Sequence, residues 1–285
     1  MLAVIGGSGL HGMPGLGETS QIDVDTPFGT PSAPIVRGRL GDTSVLFLAR
    51  HGRGHALTPS EVNYRANIYA LKALGATHVV SISAVGSLRE EIVPGHVVTP
   101  TQLVDRTCGR SSTFFGGGIV AHVAMADPFC LVMEEAVAQA AQEAGATVHR
   151  GGAYVCIEGP RFSTRAESAS YRAMGADVIG MTAAPEAFLA REAELPYATL
   201  ALATDYDCWR PKDNIDVPAI LATLRANVAR AHTTIRALAA TLPDPTTSAA
   251  HRALEFAIVT NPSQIPPAAR ARVELLAARY LASPA

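Results

Sequence analysis

From residue 58 onward the chain alternates helix start and stop signals with short apolar runs, and that alternation admits few folds. Thr58-Pro59-Ser60-Glu61 reads as an N-cap, a proline at N1 and a capping-box glutamate, with Gly75 stopping a helix that reaches about Leu74. A strand is expected over residues 77–83. Asp127-Pro128 opens a second helix that Gly145 closes, ahead of a strand over 153–158. Thr164-Arg165-Ala166-Glu167 is another capping box, with Gly175 at the far end and a strand over 177–180. A short helix over 185–194 precedes an apolar strand over 197–203, and Asp216 caps a long amphipathic helix over 217–242. Ahead of this series, residues 2–6 read as a strand, and 34–40 with 44–49 as a hairpin around Gly41-Asp42. The expectation is an α/β fold: a single domain with a central mixed β-sheet flanked by helices. It spans residues 1–243, and 244–285 form a C-terminal helical extension after the Pro243-Asp244-Pro245 linker.

Composition removes several function classes. The 285 residues carry a net charge of −2 with no long basic run, so a phosphate-neutralising surface for nucleic acid is not expected. No apolar run is long enough to span a bilayer, and the N-terminus has no basic leader. The four cysteines form no C-x-x-C pair, which fits reduced thiols in a cytoplasmic protein. His51 and His55 have the i, i+4 spacing of a metal pair, but Gly52 and Gly54 argue against the helix such a pair needs, and no metal is expected. Gly7, Gly9 and Gly12 match G-x-G-x-x-G, yet no helix of useful length follows, so a dinucleotide site is rejected. What survives is a glycine-rich turn offering backbone N–H groups and the Ser8 hydroxyl to an anion.

Polar clusters then recur just after strands: Ser8, Arg50-His51, Ser83-Ala84, residues 158–163, Met181-Thr182, and Asp205-Tyr206-Asp207. Each alone is compatible with a solvated turn or ordinary surface charge. Together, at the ends of neighbouring strands, they imply a common pocket. In an extended chain Asp205 and Asp207 face the same side. The pocket would hold an arginine and hydroxyls at one end and two carboxylates at the other. That polarity suits an anion beside a nitrogenous group rich in donors, so the residues alone point to a small-molecule enzyme handling phosphate and a base.

The same residues carry a resemblance. Ile5-Gly6-Gly7-Ser8-Gly9-Leu10, Asp25-Thr26-Pro27-Phe28-Gly29, Ala49-Arg50-His51-Gly52, Glu158-Gly159-Pro160-Arg161-Phe162-Ser163, Met181-Thr182, Pro185-Glu186 and Thr204-Asp205-Tyr206-Asp207-Cys208-Trp209 occur in this order. The chain resembles the trimeric purine nucleoside phosphorylases, in their 5′-methylthioadenosine phosphorylase branch, from residue 2 to about 240. The resemblance implies phosphorolysis of 5′-methylthioadenosine to adenine and 5-methylthioribose 1-phosphate, a step of purine and methionine salvage. It implies inorganic phosphate as co-substrate, no cofactor, no metal, and a homotrimer with shared active sites.

Residue by residue, the resemblance makes Asp205 the acid at purine N7 and Asp207 the acceptor for the exocyclic amine. Ser8, Arg50, His51, Ser83, Ala84 and Thr182 would hold phosphate. Phe162 and Ser163 would lie against the base, with Met181 and Thr204 beside the ribose and base. Val217, Ile220 and Leu221 fall where the family builds its alkylthio pocket, although they also read as the apolar stripe of their helix. His122 resembles a residue supplied to the neighbouring subunit's site. A carboxylate at the exocyclic position suits an amino group, whereas a 6-oxopurine would favour an amide. Departures cluster elsewhere. Gly180 stands where animal enzymes carry Asn, Ala183-Ala184 replaces Thr-Val, and Ser8 and Ser83 stand where Thr is common. Residues 210–216 align with a gap. The alternative substrates are therefore other purine nucleosides, such as adenosine, a 5′-halo-5′-deoxyadenosine or methylthioinosine. A water-using nucleosidase and a non-catalytic nucleotide-binding module are the remaining readings; the phosphate set opposes the first and the complete acid-plus-anion set the second.

Overall fold

Two near-continuous apolar runs make the middle of the sheet because they are buried on both faces, as parallel strands between helical layers must be. They are β5 (His78–Ser87) and β11 (Tyr197–Asp205), paired in parallel along most of their length. In chain order the other strands are β1 (Leu2–Gly6), β2 (Gly17–Ile22), β3 (Ile35–Leu40), β4 (Thr43–Ala49), β6 (Val97–Thr99), β7 (Gln102–Arg106), β8 (Val148–Arg150), β9 (Ala153–Ile157) and β10 (Val178–Gly180). The helices are α1 (Tyr64–Ala73), α2 (Leu131–Glu143), α3 (Arg165–Ala173), α4 (Ala183–Glu192), α5 (Val217–Ala240) and α6 (Pro267–Leu281). The structure is a computed structural model and describes residues 1–7, 12–210 and 216–281.

The 11 strands of the described residues belong to one mixed sheet, in the order β2-β3-β4-β1-β5-β10-β9-β7, with β11 and then β6 and β8 branching from β5. Strands β4, β1, β5 and β11 run parallel to one another. Strands β10, β9 and β7 also run parallel among themselves, but β10 meets β5 antiparallel. Two parallel groups therefore run toward each other, and their carboxyl ends converge. That convergence is where an open α/β sheet offers a crevice.

Side-chain alternation separates two helical layers. Leu2 and Val4 of β1, with Ala198, Leu200 and Leu202 of β11, pack against Met133 and Val137 of α2 and Ile235 and Leu238 of α5. Ala3, Ile5, Tyr197 and Ala201 face the other way, onto Ile68 and Leu71 of α1 and Ala187 and Leu189 of α4. The C-terminal segment joins this second layer, with Leu254, Ile265, Val273 and Leu276 fully or almost fully buried in it.

Two helix starts differ from expectation. Helix α1 begins at Tyr64, capped by the Asn63 side chain on the Ala66 N–H, and not at Thr58. The Thr58–Glu61 bonds do form (Thr58 Oγ1 to Glu61 Oε2, 2.7 Å), but they close an isolated turn. Asn63 takes over the cap because its amide also donates to the Phe28 carbonyl at 2.8 Å, which fixes the entering chain. Helix α2 starts at Leu131 with Cys130 as cap, three residues later than Pro128 suggests. The capping box of α3 and the Asp216 cap of α5 form as expected. Short strands β2, β6, β7 and β8 have no counterpart among the expected elements.

Helix α4 ends at Glu192 and the chain turns through Glu194 at φ 53, a left-handed position usually given to glycine. What holds a glutamate there is its carboxylate. It accepts from the Leu254 N–H at 3.0 Å, the Tyr280 hydroxyl at 2.6 Å and Arg279 Nη2 at 2.5 Å. One side chain thus ties the C-terminal segment to the end of α4. Replacing Glu194 with Ala leaves the buried Leu254 N–H without an acceptor and keeps the unfavourable backbone, so stability is expected to fall by about 2–3 kcal/mol. A urea melt of the two proteins checks this, and an unchanged midpoint would remove the anchor.

Candidate active site

At the convergence lies a cavity of about 490 Å³, walled by the carboxyl ends of β4, β5, β9, β10 and β11 and roofed by the start of α5. Of the residues expected at the site, Arg50, His51, Ser83, Ala84, Phe162, Ser163, Met181, Thr182, Thr204, Asp205, Asp207, Val217, Ile220 and Leu221 all line it. Ser8 lies outside the described residues. His122 does not line it; it is exposed, and its backbone N–H donates to the Ala257 carbonyl at 2.8 Å. Among the described residues no three His, Cys, Asp or Glu side chains converge as a metal cluster, and the His51 and His55 rings simply stack at 4.3 Å.

The two carboxylates arrive by a route that strand alternation does not describe. The β11–β5 register shifts between Ala203 and Asp205, the strand ends at Asp205, and Asp207 sits at φ 52. The chain therefore turns, and the turn is bonded internally: the Asp207 N–H donates to Asp205 Oδ1 at 2.7 Å. Thr204 Oγ1 donates to Asp205 Oδ2 at 2.8 Å and lies 3.2 Å from the Val85 carbonyl. So Thr204 serves the cavity by holding Asp205. Gly86 makes the close approach possible, since a Cβ there would come within 3.2 Å of Asp205 Oδ1 and 3.3 Å of Asp207 Cβ. Burial raises the pKa of both acids, against the bonds each accepts.

The opposite end carries hydroxyls and a guanidinium. Ser83 Oγ and Thr182 Oγ1 stand 3.3 Å apart. Arg50 is 3% exposed and its fork grips Glu186, itself 0% exposed, at 2.8 and 3.0 Å. Nη2 also donates to Ser81 Oγ at 2.6 Å, and Nη1 reaches the Ile82 carbonyl at 3.3 Å. Burial works against the Arg50 charge, but the attraction and hydrogen bonds of Glu186 outweigh it and the net shift is upward. Most of the guanidinium is committed within the protein, which leaves an Nη1 hydrogen and the two hydroxyls for a ligand.

His51, expected among the residues that hold phosphate, brings no charge to the anion end: burial and the neighbouring Arg50 charge push its pKa down to about 4. Nδ1 lies 2.9 Å from the Leu57 carbonyl, which can only accept, so the ring proton sits on Nδ1 and Nε2 is left as an acceptor.

Along the side of the cavity, Phe162 is 42% exposed, and the Ser163 hydroxyl is buried without a partner among the described residues. Val217 and Leu221 stand half-exposed at the mouth, on the first turns of α5. Sequence reasoning passed over Arg110. Its Nη1 donates to the carbonyls of Met181 (2.8 Å) and Ala184 (2.7 Å), and Nη2 to that of Glu158 (2.5 Å). It thereby clamps the chain after β10 to the chain after β9. No local signal marks it, because its acceptors lie 48 to 74 residues away.

Comparison with known proteins gives the family. A family model described as the phosphorylase superfamily matches residues 1–240. The S-methyl-5′-thioadenosine phosphorylase of Geobacter sulfurreducens is 53% identical over 283 residues, 99% of each chain. That of Chloroflexus aurantiacus is 52% identical over 281 residues, 98% of each chain. A methylthioadenosine phosphorylase from an antarctic soil metagenomic library superposes with a TM-score of 0.92 at 48% identity, covering 96% of this chain and 98% of that one. The Schistosoma mansoni methylthioadenosine phosphorylase in complex with adenine gives 0.81 at 40% identity, covering 87% and 94%.

The low His51 pKa has a measurable consequence. The folded ring binds its proton more weakly than the unfolded one. Between about pH 6.5 and 4 the unfolded chain therefore takes up the proton first, and this residue's contribution to stability is lost as pH falls through that window. In ¹H–¹⁵N spectra the His51 ring is expected to show the Nδ1–H tautomer at pH 7 and to titrate near 4; a midpoint at its ordinary value would overturn the assignment.

Proposed function

The chain belongs to the phosphorylase superfamily, and from that premise we infer that it catalyses phosphorolysis of 5′-methylthioadenosine to adenine and 5-methylthioribose 1-phosphate. The observation that carries the reading is the polarity of one cavity: a buried and a partly buried carboxylate at one end, hydroxyls and a guanidinium at the other.

The chemistry follows from that polarity. A phosphate oxygen attacks C1′, the C1′–N9 bond breaks, and its electron pair stays with the purine. Adenine leaves poorly as an anion, so a proton must reach N7 as the bond breaks. Asp205, whose pKa burial raises, is the donor in this proposal. Asp207, which also accepts from the Cys208 thiol, is the acceptor for the 6-amino group. Ser83, Thr182, the Ala84 backbone and the remaining Arg50 hydrogen aim the phosphate. Neutral His51 offers Nε2 to a P–OH or ribose hydroxyl rather than adding charge. Phe162 lies along the base and the unpartnered Ser163 hydroxyl beside it, with Met181 at the ribose. Val217, Ile220 and Leu221 supply an apolar mouth that suits a methylthio group better than a free 5′-hydroxyl. Phosphate enters as a co-substrate, and no cofactor takes part.

Base release is measured with 5′-methylthioadenosine, with and without phosphate, for the wild-type enzyme and Asp205→Asn. Adenine should appear only with phosphate. The variant should lose about 10²-fold or more in kcat, the share a positioned acid contributes. Equal release without phosphate would sink phosphorolysis, and an unchanged kcat in the variant would remove Asp205 from the acid role.

We also propose that the working form is a cytoplasmic homotrimer with shared sites. His122 stands outside its own cavity, and Val120, Phe256 (91% exposed) and Val259 leave an apolar face beside it. Sedimentation equilibrium should return three chains per particle; a concentration-independent monomer would refute it.

A further inference from the structure

The hydroxyl pair of the anion end has a third member that does not line the cavity. Tyr154, in β9, is 0% exposed. Its hydroxyl lies 3.4 Å from Ser83 Oγ, and Ser83 Oγ lies 3.3 Å from Thr182 Oγ1. The Thr182 backbone amide lies against the same phenol oxygen. The position is built, since Gly180 at the end of β10 leaves the space open. A Cβ on residue 180 would fall 1.9 Å from Tyr154 Oη and 2.6 Å from Cζ. Any side chain at 180 is therefore excluded by the phenol, and the polar group facing the Ser83–Thr182 pair is delivered by β9 instead.

A buried phenol must donate its proton. Among the described residues Ser83 Oγ is the only acceptor that the Tyr154 hydroxyl reaches. The amide on its other side can only donate. The direction of the chain is then set: Tyr154 donates to Ser83, and Ser83, with a lone pair occupied, turns its own proton toward Thr182 at 3.3 Å, the Ala84 carbonyl at 3.5 Å or a ligand oxygen. Bonds in such a chain polarise one another, so Ser83 becomes a better donor than an isolated serine. Burial also keeps the phenol protonated by raising its pKa.

We propose that Tyr154 is a positioning residue for phosphate, fixing the Ser83 hydroxyl as a donor into the cavity. This rests on the phosphorolysis reading above. It acts through Ser83 and not on the nucleoside, so its removal has a distinctive kinetic signature.

The test is steady-state kinetics of Tyr154→Phe, varying phosphate at saturating 5′-methylthioadenosine and then the reverse. The expected result is a KM for phosphate raised roughly 5- to 20-fold, as the Ser83 hydroxyl loses its fixed aim at a charged group, with kcat and the nucleoside KM within about 2-fold. In the Ser83→Ala background the same change should add nothing, because the two residues act in series. An unchanged phosphate KM, an equal rise in both KM values, or effects that multiply in the double variant would each overturn the role. Tyr154→Met repeats the measurement should the Phe variant not accumulate folded. Wild-type enzyme that releases base equally without phosphate removes the reaction and this role together. Phosphate dependence in the wild type with no change in Tyr154→Phe removes this role alone.

Discussion

The buried pair of Arg50 and Glu186 is the interaction on which the cavity depends. It joins the end of β4 to α4 by a two-point bond, and its remaining contacts bring in β5 through Ser81 and Ile82. Tyr197, at the start of β11, donates to Glu186 Oε1 at 2.9 Å. Four elements, β4 and β5 from the first third of the chain and the consecutive α4 and β11 from well beyond it, are thus fastened beneath one floor. Two fully buried charges cost several kcal/mol to desolvate, and only good geometry repays that. Here both carboxylate oxygens and four of the five guanidinium hydrogens have partners, so what the pair supplies is a single geometry for the anion end, more than stability. It also sets the electrostatics. With its charge largely balanced by Glu186, Arg50 does not make the floor strongly cationic, and neutral hydroxyls carry much of the recognition. A floor of that kind can hold a phosphate yet release a phosphorylated sugar.

At the other end the problem is inverted, because two acids must coexist close together without a cation between them. The turn solves this with backbone. Asp205 is fed by the Thr204 hydroxyl and the Asp207 N–H. Asp207 is met instead by the Ser168 hydroxyl and by the backbone N–H and thiol of Cys208. The environments differ in donors although the residues are two apart, and differing environments are what let two carboxyl groups take different protonation roles. Trp209 closes the turn by donating Nε1 to the Ser87 carbonyl at 2.8 Å, and the Arg172 guanidinium stacks over its ring at 3.5 Å. The pair of acids is therefore supported from β5 and α3 as well as from its own strand.

How much of this was legible in the sequence depended on how local each cause is. The apolar runs of β1, β5 and β11 and the caps of α3 and α5 were readable because burial on both faces and capping leave signals within a few residues. The start of α1 was misread because Thr58-Pro59-Ser60-Glu61 is a sound start signal. What outweighed it was Asn63, tied to Phe28 from 35 residues away. Strand β2 is exposed along its length, and β6 and β8 have three residues each, so none offers an apolar pattern to find. The site residues were legible as types gathered after strands, and the cavity joins almost all of them. Their commitments were not: the proton on His51, the grip of Glu186 on Arg50 and the clamp of Arg110 all arise between segments that only folding brings together.

The glycines at the strand ends draw these points into one constraint. Gly86 and Gly180 lie on adjacent antiparallel strands, β5 and β10, where the two halves of the sheet meet head-on. At that seam backbone and side chains from both halves compete for the same volume. A Cβ on Gly86 would press on the acids, and a Cβ on Gly180 would displace the Tyr154 phenol. Each absent side chain therefore makes room for a polar group from another strand, one serving the carboxylate end and one the hydroxyl end. Substitution at Gly180 cannot be absorbed by a surface rotamer, because the colliding phenol is fully buried, and at Gly86 it would require Ile179 and the two acids to shift by a few tenths of an ångström. The seam's packing, more than any one polar residue, keeps the two ends of the cavity distinct, with opposite chemical character.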